Sequence, residues 1–379
     1  MRVSTWVWLA ILAIATAGSG LAAAPVPLPP QPVDVPWPTQ AWPIGAPAGG
    51  VDGTRLDAAL AHAFVATGPG GLADTRALLV VQHGAIVAER YARGFRPDTR
   101  FHSWSVAKSI TQALVGILVR DGSLDVSAPA PVPAWQAAGD ARRTITLDQL
   151  LHMTSGLANQ DDTQDVASSV VVAMLFGNQS ARMAEYAASL PLIHQPGSYW
   201  AYSTATSMIV ADIVQRRVGG SQDAMLGFMR RELFEPIGMR SAVPEFDAGG
   251  TFMGGGFVYA SARDYARFGY LYLRNGMWDG ARILPEGWVD YTRTPAAAPN
   301  NGVYGANFWL NLTPAEGQFK VLPDGPASAF AASGNDGQLI VIVPTQDLVV
   351  VRLGEMHAST WKTVTADLAA IVATFPASP

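Results

Sequence analysis

The feature that most constrains this chain is a matched pair of strand signals at its two ends. Near the start, "ALLVVQHGAIVAERYA" gives two β-rich runs separated by His83-Gly84, a dipeptide suited to a tight hairpin turn. Near the end, "QLIVIV" and "LVVVRLG" flank "PTQD", and the helix-period stretch "STWKTVTADLAAIVATF" follows. Between the two pairs lie mostly helical patterns, among them "ITLDQLLHMTSGL", "SMIVADIVQRRVGG", "QDAMLGFMRRELFEPIGM" and "SARDYARFGYLYLRNGMWDG". The order predicts an α/β (α+β) molecule: one antiparallel sheet built from both chain ends, helices on its faces, and a mostly helical insertion at roughly 123–255.

Composition sets the outer limits. The chain has 379 residues, 49% hydrophobic and 15% charged, enough to bury a large core. A formal charge of -5 and the lack of a basic run argue against nucleic acid as a partner. There is no cysteine, so disulfides, a thiolate nucleophile and a lipid-modified cysteine are excluded. The opening "MRVSTWVWLAILAIATAGSGLAAAP" has Arg2, an apolar run too short for a full membrane span, and small residues at Ala22 to Ala24, which reads as a signal segment over 1–24 and predicts an exported, periplasmic or secreted protein. The proline-rich stretch 25–50 reads as an extended tether, and 51–379 as the folded domain, with no stable membrane insertion after signal cleavage. Oligomeric state is not legible.

The candidate chemistry begins in "FHSWSVAKSITQALVGILVRDG". The chain carries three lysines against twenty-two arginines, and one of the three, Lys108, stands just ahead of the apolar run of this helix. A lysine, unlike an arginine, becomes a base when burial lowers its pKa. Ser105 lies one turn earlier on the same face, where it can be a helix N-cap or a nucleophile whose proton Lys108 accepts. Further on, Tyr202 in "QPGSYWAYSTATSMIVADIVQRRVGG" falls just before a helix and can serve as a second proton-transfer group or as an ordinary packed tyrosine. In "AASGNDGQLIVIV", Gly334 and Gly337 permit close approach of a strand edge to a ligand, or simply form a turn. No G-x-S-x-G elbow occurs, and the six histidines show no metal-ligand spacing, so no metal is expected. Trp104 and Trp200 flank the serine and the tyrosine, as core or as an aromatic wall for substrate.

In this order and spacing the three pieces resemble the serine β-lactamase and penicillin-binding protein superfamily, in its class C β-lactamase-like branch, which includes esterases, D-amino-acid peptidases and 6-aminohexanoate-dimer hydrolases. "ITLDQLLHMTSGL", "PGSYWAYS", "GGGFVYASARDYARFGYLYLRNG" and "GNDGQLIVIVPTQDLVVV" carry the likeness from about Val51 to Phe375. The resemblance implies Ser105 as acylated nucleophile, Lys108 as its base partner and Tyr202 as the tyrosine of a Y-x-N motif. It further implies an oxyanion hole from the backbone N–H groups of Ser105 and Gln338, and a triplet Asn335, Asp336 and Gly337 on the strand lining the site, with Asn335 and Gly337, together with Thr204, on the substrate and Asp336 structural. Two departures matter. Thr204 stands where the tyrosine motif usually ends in asparagine, removing an amide that contacts substrate. Asn335 stands where β-lactamases and peptidases commonly have lysine, removing a charge-assisted contact worth about 1.5 to 3 kcal/mol to a substrate carboxylate, unless an arginine from elsewhere supplies it. The expectation is an exported serine hydrolase, without metal or organic cofactor, acting on a small carboxylic ester or amide through an acyl-enzyme. The alternatives are a non-catalytic penicillin-binding-like module that recognises peptide or cell-wall fragments, and a weak β-lactamase or D-amino-acid peptidase.

Overall fold

The computed structural model describes residues 25–65, 74–159, 161, 169–298, 300, 302–312, 320–356 and 360–377. The segment 1–24, on which the export expectation rests, lies outside the described residues.

The two terminal strand pairs join into one antiparallel sheet. Its strands are β1 (Asp74–Gln82), β2 (Ala85–Tyr91), β3 (Trp309–Leu310), β4 (Phe330–Gly334), β5 (Gln338–Val343) and β6 (Leu348–Glu355), arranged β2-β1-β6-β5-β4-β3. His83 and Gly84 both take positive φ, 50° and 76°, the combination a two-residue hairpin needs to match strand twist. The ends meet where β1 pairs with β6, Leu78 opposite Arg352 and Val80 opposite Val350. Because side chains alternate across a strand, each apolar run serves two cores. Leu78, Val80, Leu339, Val341 and Val350 face α1 (Gly53–His62) and the C-terminal helix α5 (Trp361–Val372). Leu79, Val81, Ile340, Ile342, Val349 and Val351 face α2 (Val106–Arg120) and α4 (Ala262–Leu273). At Gly269 of α4 a Cβ would come within 2.7 Å of Ile340 and Val349, so helix and sheet approach closely only because that side chain is missing.

The middle of the chain is mostly helical, as its periodicity predicts. At its centre, α3 (Thr204–Arg217) is buried on nearly every side, and Leu147–Leu151, Val170–Leu175 and Met183–Ser189 pack around it. A small antiparallel sheet of Arg100–His102, Val243–Pro244 and Val258–Ser261 was not read from the sequence, since runs of two to four residues carry no periodicity. It clamps the chain just ahead of α2 and so fixes where that helix begins.

The stretch 25–50 corrects the tether reading. It is extended, as its prolines require, but it is docked. Trp42 is buried, Trp37 lies 6.0 Å from the Tyr270 ring and 5.8 Å from that of Trp278, and Arg267 Nε donates to Pro38 O at 2.8 Å. Ile86 N donates to Pro43 O at 2.9 Å and Gly45 N to Ile86 O at 3.0 Å, which covers the edge of β2. Tryptophans among the prolines supply apolar area that a free tether would not carry.

Candidate active site

The entry into α2 is a built turn. Ser103 N donates to Val258 O at 2.8 Å and its hydroxyl accepts from Val258 N at 3.0 Å. Trp104 then takes φ of 44°, a left-handed conformation uncommon for a bulky residue and typical of functional sites. This kink delivers Ser105 to the first turn with its hydroxyl making no capping bond, which sets aside the N-cap role.

Lys108 Nζ lies 2.9 Å from Ser105 Oγ instead. The amine is buried at 1% exposure and makes two further bonds, to Thr204 Oγ1 at 3.0 Å and to Gly255 O at 2.7 Å. Burial is the dominant influence on it and lowers its pKa to about 8, against the opposing pull of Asp161. The helix is held in place behind the lysine by Ser109 Oγ donating to Asn307 O at 2.7 Å and Thr111 Oγ1 donating to Gly254 O at 2.9 Å.

Tyr202 joins the pair from the start of α3. Its ring centroid lies 5.0 Å from Lys108 Nζ, which places the phenol beside the serine and the lysine. Burial pushes this phenol above its ordinary range, so it persists as O–H. Tyr304 meets the ring edge-on at 5.7 Å and Trp309 lies at 5.4 Å.

Thr204, which stands where the motif's asparagine would be, is bonded to the lysine. Its hydroxyl accepts from Lys108 and donates to Asp161 Oδ2 at 2.5 Å, while its N–H donates to Asp161 Oδ1 at 2.8 Å. Burial raises the Asp161 carboxyl pKa, with Lys108 and the two Thr204 bonds pulling it back. Neither Asp161 nor the Gly255 carbonyl was anticipated. The triple glycine Gly254 to Gly256 was a signal for the second, since a Cβ at Gly255 would meet Thr204 Cγ2 at 2.8 Å; for Asp161 the sequence held none.

On the strand side the approach comes earlier than the expected triplet. A Cβ on Gly334 would lie 2.3 Å from Ser103 O and 3.1 Å from Ser105 N, so the end of β4 presses against the backbone of Ser105. Gln338 pairs with Gly334 from the next strand, and its side-chain amide donates to Gly354 O at 2.6 Å. Gly337 faces Arg352 rather than a ligand: a Cβ there would lie 2.7 Å from Arg352 Nη1. Asn335 is half-buried beside the site, its amide donating to Asp336 Oδ1 at 2.9 Å. Arg352 is the arginine near this turn, and it is buried, donating to the carbonyls of Asp336, Gly337 and Glu355 at 2.8, 3.0 and 2.9 Å.

The two tryptophans fall on different walls. Trp104 stacks in a cluster with His102 at 4.4 Å and Phe257 at 6.2 Å; Trp200 lies 5.8 Å from Tyr304, its Nε1 buried without a hydrogen-bond partner. Burial lowers the His102 pKa to about 4, leaving a neutral imidazole in that cluster. Among the described residues no three His, Cys, Asp or Glu side chains gather as a metal would require, and no helix is long and apolar enough to cross a membrane.

Comparison with known proteins places the fold. The chain is 29% identical over 223 residues to a 6-aminohexanoate-dimer hydrolase of Paenarthrobacter ureafaciens, covering 57% of this chain and 56% of that protein. It is 30% identical over 194 residues to esterase EstB of Burkholderia gladioli, covering 44% and 47%. The chain thus spans about half the length of each of these two relatives. A proposed 6-aminohexanoate-dimer hydrolase from Bacillus anthracis shares the fold, with a TM-score of 0.68 over 90% of both chains at 20% identity. The family model for beta-lactamase matches residues 63–370, most of the chain, and with the fold around Ser105 and Lys108 already described this protein belongs to the beta-lactamase family.

Proposed function

We propose that this protein is an exported serine hydrolase that cleaves a small carboxylic ester or amide through an acyl-enzyme on Ser105. One observation carries the reading: the buried amine of Lys108 stands 2.9 Å from Ser105 Oγ, with a pKa lowered far enough for a substantial neutral fraction near neutrality. Ser105 Oγ attacks the substrate carbonyl carbon as its proton passes to Lys108. Tyr202, held as a phenol, gives its proton to the departing alcohol or amine and is reprotonated from Lys108. Water then adds to the acyl carbon, its proton is taken by the same pair, and Ser105 leaves with its hydroxyl restored.

The developing oxyanion is assigned to the N–H of Ser105 at the start of α2 and to the strand side, where Gly334 presses against that N–H and Gln338 pairs with Gly334. Neutral substrates are favoured because Asn335 carries no charge and Arg352 is committed to three carbonyls. The names of the two curated relatives, a dimer hydrolase and an esterase, support amide or ester chemistry, and the Arg2-led apolar opening supports export.

The test is intact-protein mass spectrometry after exposure to a fluorophosphonate and, separately, to a penicillin. A single adduct with the fluorophosphonate, absent in Ser105→Ala, is the expected result. An adduct with penicillin alone would shift the substrate to β-lactams, and no adduct in folded protein would leave only a binding module.

A further inference from the structure

We propose that Asp161 is a positioning residue for this chemistry, acting through the Thr204 hydroxyl to direct the lone pair of neutral Lys108 at Ser105. The inference rests on the Ser105 and Lys108 reading above and adds a member to it.

The argument is one of proton counting. A threonine hydroxyl has one proton, and Asp161 Oδ2 takes it at 2.5 Å. Toward Lys108, at 3.0 Å, Thr204 Oγ1 therefore presents only a lone pair. Gly255 O, at 2.7 Å, can only accept as well. A neutral amine has two protons, and these two neighbours require both. Its lone pair then falls on the third neighbour, Ser105 Oγ, where a proton must be received. Without the carboxylate, the Thr204 hydroxyl is free to turn and donate to Lys108, which occupies the lone pair and points an N–H at Ser105 instead. An aspartate that holds a histidine base in the productive tautomer does the same work in a serine protease.

The hydroxyl spacer matters too. Asp161 reaches Lys108 through Thr204, so the carboxylate favours the ammonium formed during attack without locking the amine in a direct ion pair. Among the described residues the other titratable groups at this point are the phenols Tyr202, 5.0 Å from Nζ to ring, and Tyr304 behind it; the glycine segment contributes only a carbonyl.

The experiment follows fluorophosphonate labelling of Ser105 from pH 5 to 10, with p-nitrophenyl acetate turnover in parallel. In Asp161→Asn an amide can stand where Oδ2 stood and donate to Thr204, turning its proton toward Lys108. Labelling should slow by about 10²-fold, the order expected of a misdirected base. The acid limb should move to lower pH, since the charge that favoured the ammonium is gone, and KM should change far less than kcat. Thr204→Val should lose a comparable factor, and Thr204→Ser should recover most of that loss. If Asp161→Asn and Thr204→Val both label at the wild-type rate with an unmoved limb, the proposal is overturned. Should Asp161→Asn fail to fold, the valine and serine substitutions at Thr204 decide it alone. Labelling that persists in Ser105→Ala would instead overturn the underlying nucleophile assignment.

Discussion

Two buried cation sites in this molecule are built in opposite ways. On α4, Arg267 meets Asp264 directly, Nη1 to Oδ1 at 2.7 Å, and both side chains are buried. Asp264 also accepts from Ser241 N at 2.7 Å, and Arg267 reaches Pro38 O in the N-terminal arm. Around Lys108 the cation is an amine, the carboxylate stands one hydroxyl away, and the remaining partners are neutral. A guanidinium in direct contact stays charged under all working conditions and ties elements together. A buried amine whose counter-charge is held at a remove can lose its proton and take it back. Residue type and a single intervening hydroxyl separate a fastener from a base.

The largest expected effect comes from forcing one design into the other. Lys108→Arg places a permanent cation beside Ser105, and fluorophosphonate labelling should fall by about 10²- to 10⁴-fold, the range for loss of a general base. In the unaltered protein the same labelling should rise through pH 8 or so, because the reactive form is the deprotonated Lys108 whose pKa burial has lowered to about 8. A profile flat across that range would undo the contrast. Breaking the other site should behave differently: Asp264→Asn leaves Arg267 buried without its counter-charge and should cost about 3–5 kcal/mol in urea unfolding, with the labelling profile of the folded fraction unshifted. Gly334→Ala should cost about 1–3 kcal/mol through overpacking against Ser103 and Ser105, and should slow labelling as well, because the strain falls on the backbone of Ser105, the proposed nucleophile. The smallest change is expected from His102→Phe. The imidazole is already neutral among aromatic rings, so stability should move by less than about 1.5 kcal/mol and the pH limb should stay in place.

What could be read from the sequence follows from how local each signal is. The terminal strand pairs and the turn at His83-Gly84 are written in contiguous residues, and so is the helix that sets Ser105 and Lys108 one turn apart. The sheet was legible for that reason. Asp161 was not, because it lies in a stretch with no periodicity and gains its place only when α3 packs beside α2. Thr204 was noticed, but its bonds to Lys108 and Asp161 were not, since a missing asparagine amide says nothing of what the replacing hydroxyl touches. Gly334 and Gly337 were both legible as points of close approach, but what each approaches was not: Gly337 meets Arg352, and Gly334 meets the backbone of Ser103 and Ser105. The arm over 25–50 misled because proline content describes its backbone and not the tryptophans that anchor it.

The sheet order also dictates when the surroundings of Ser105 can be completed. β1 pairs with β6, whose residues come some 270 positions later in the chain, as with Leu78 opposite Arg352. The strand edge beside Ser105 sits on β5 and β6, so it has no platform until those strands have been made. A chain emerging from the ribosome therefore carries Ser105 and Lys108 long before it carries the strand edge that packs against them. Sequence-distant pairing of this kind folds slowly, so the surroundings of Ser105 are completed only when synthesis is nearly over.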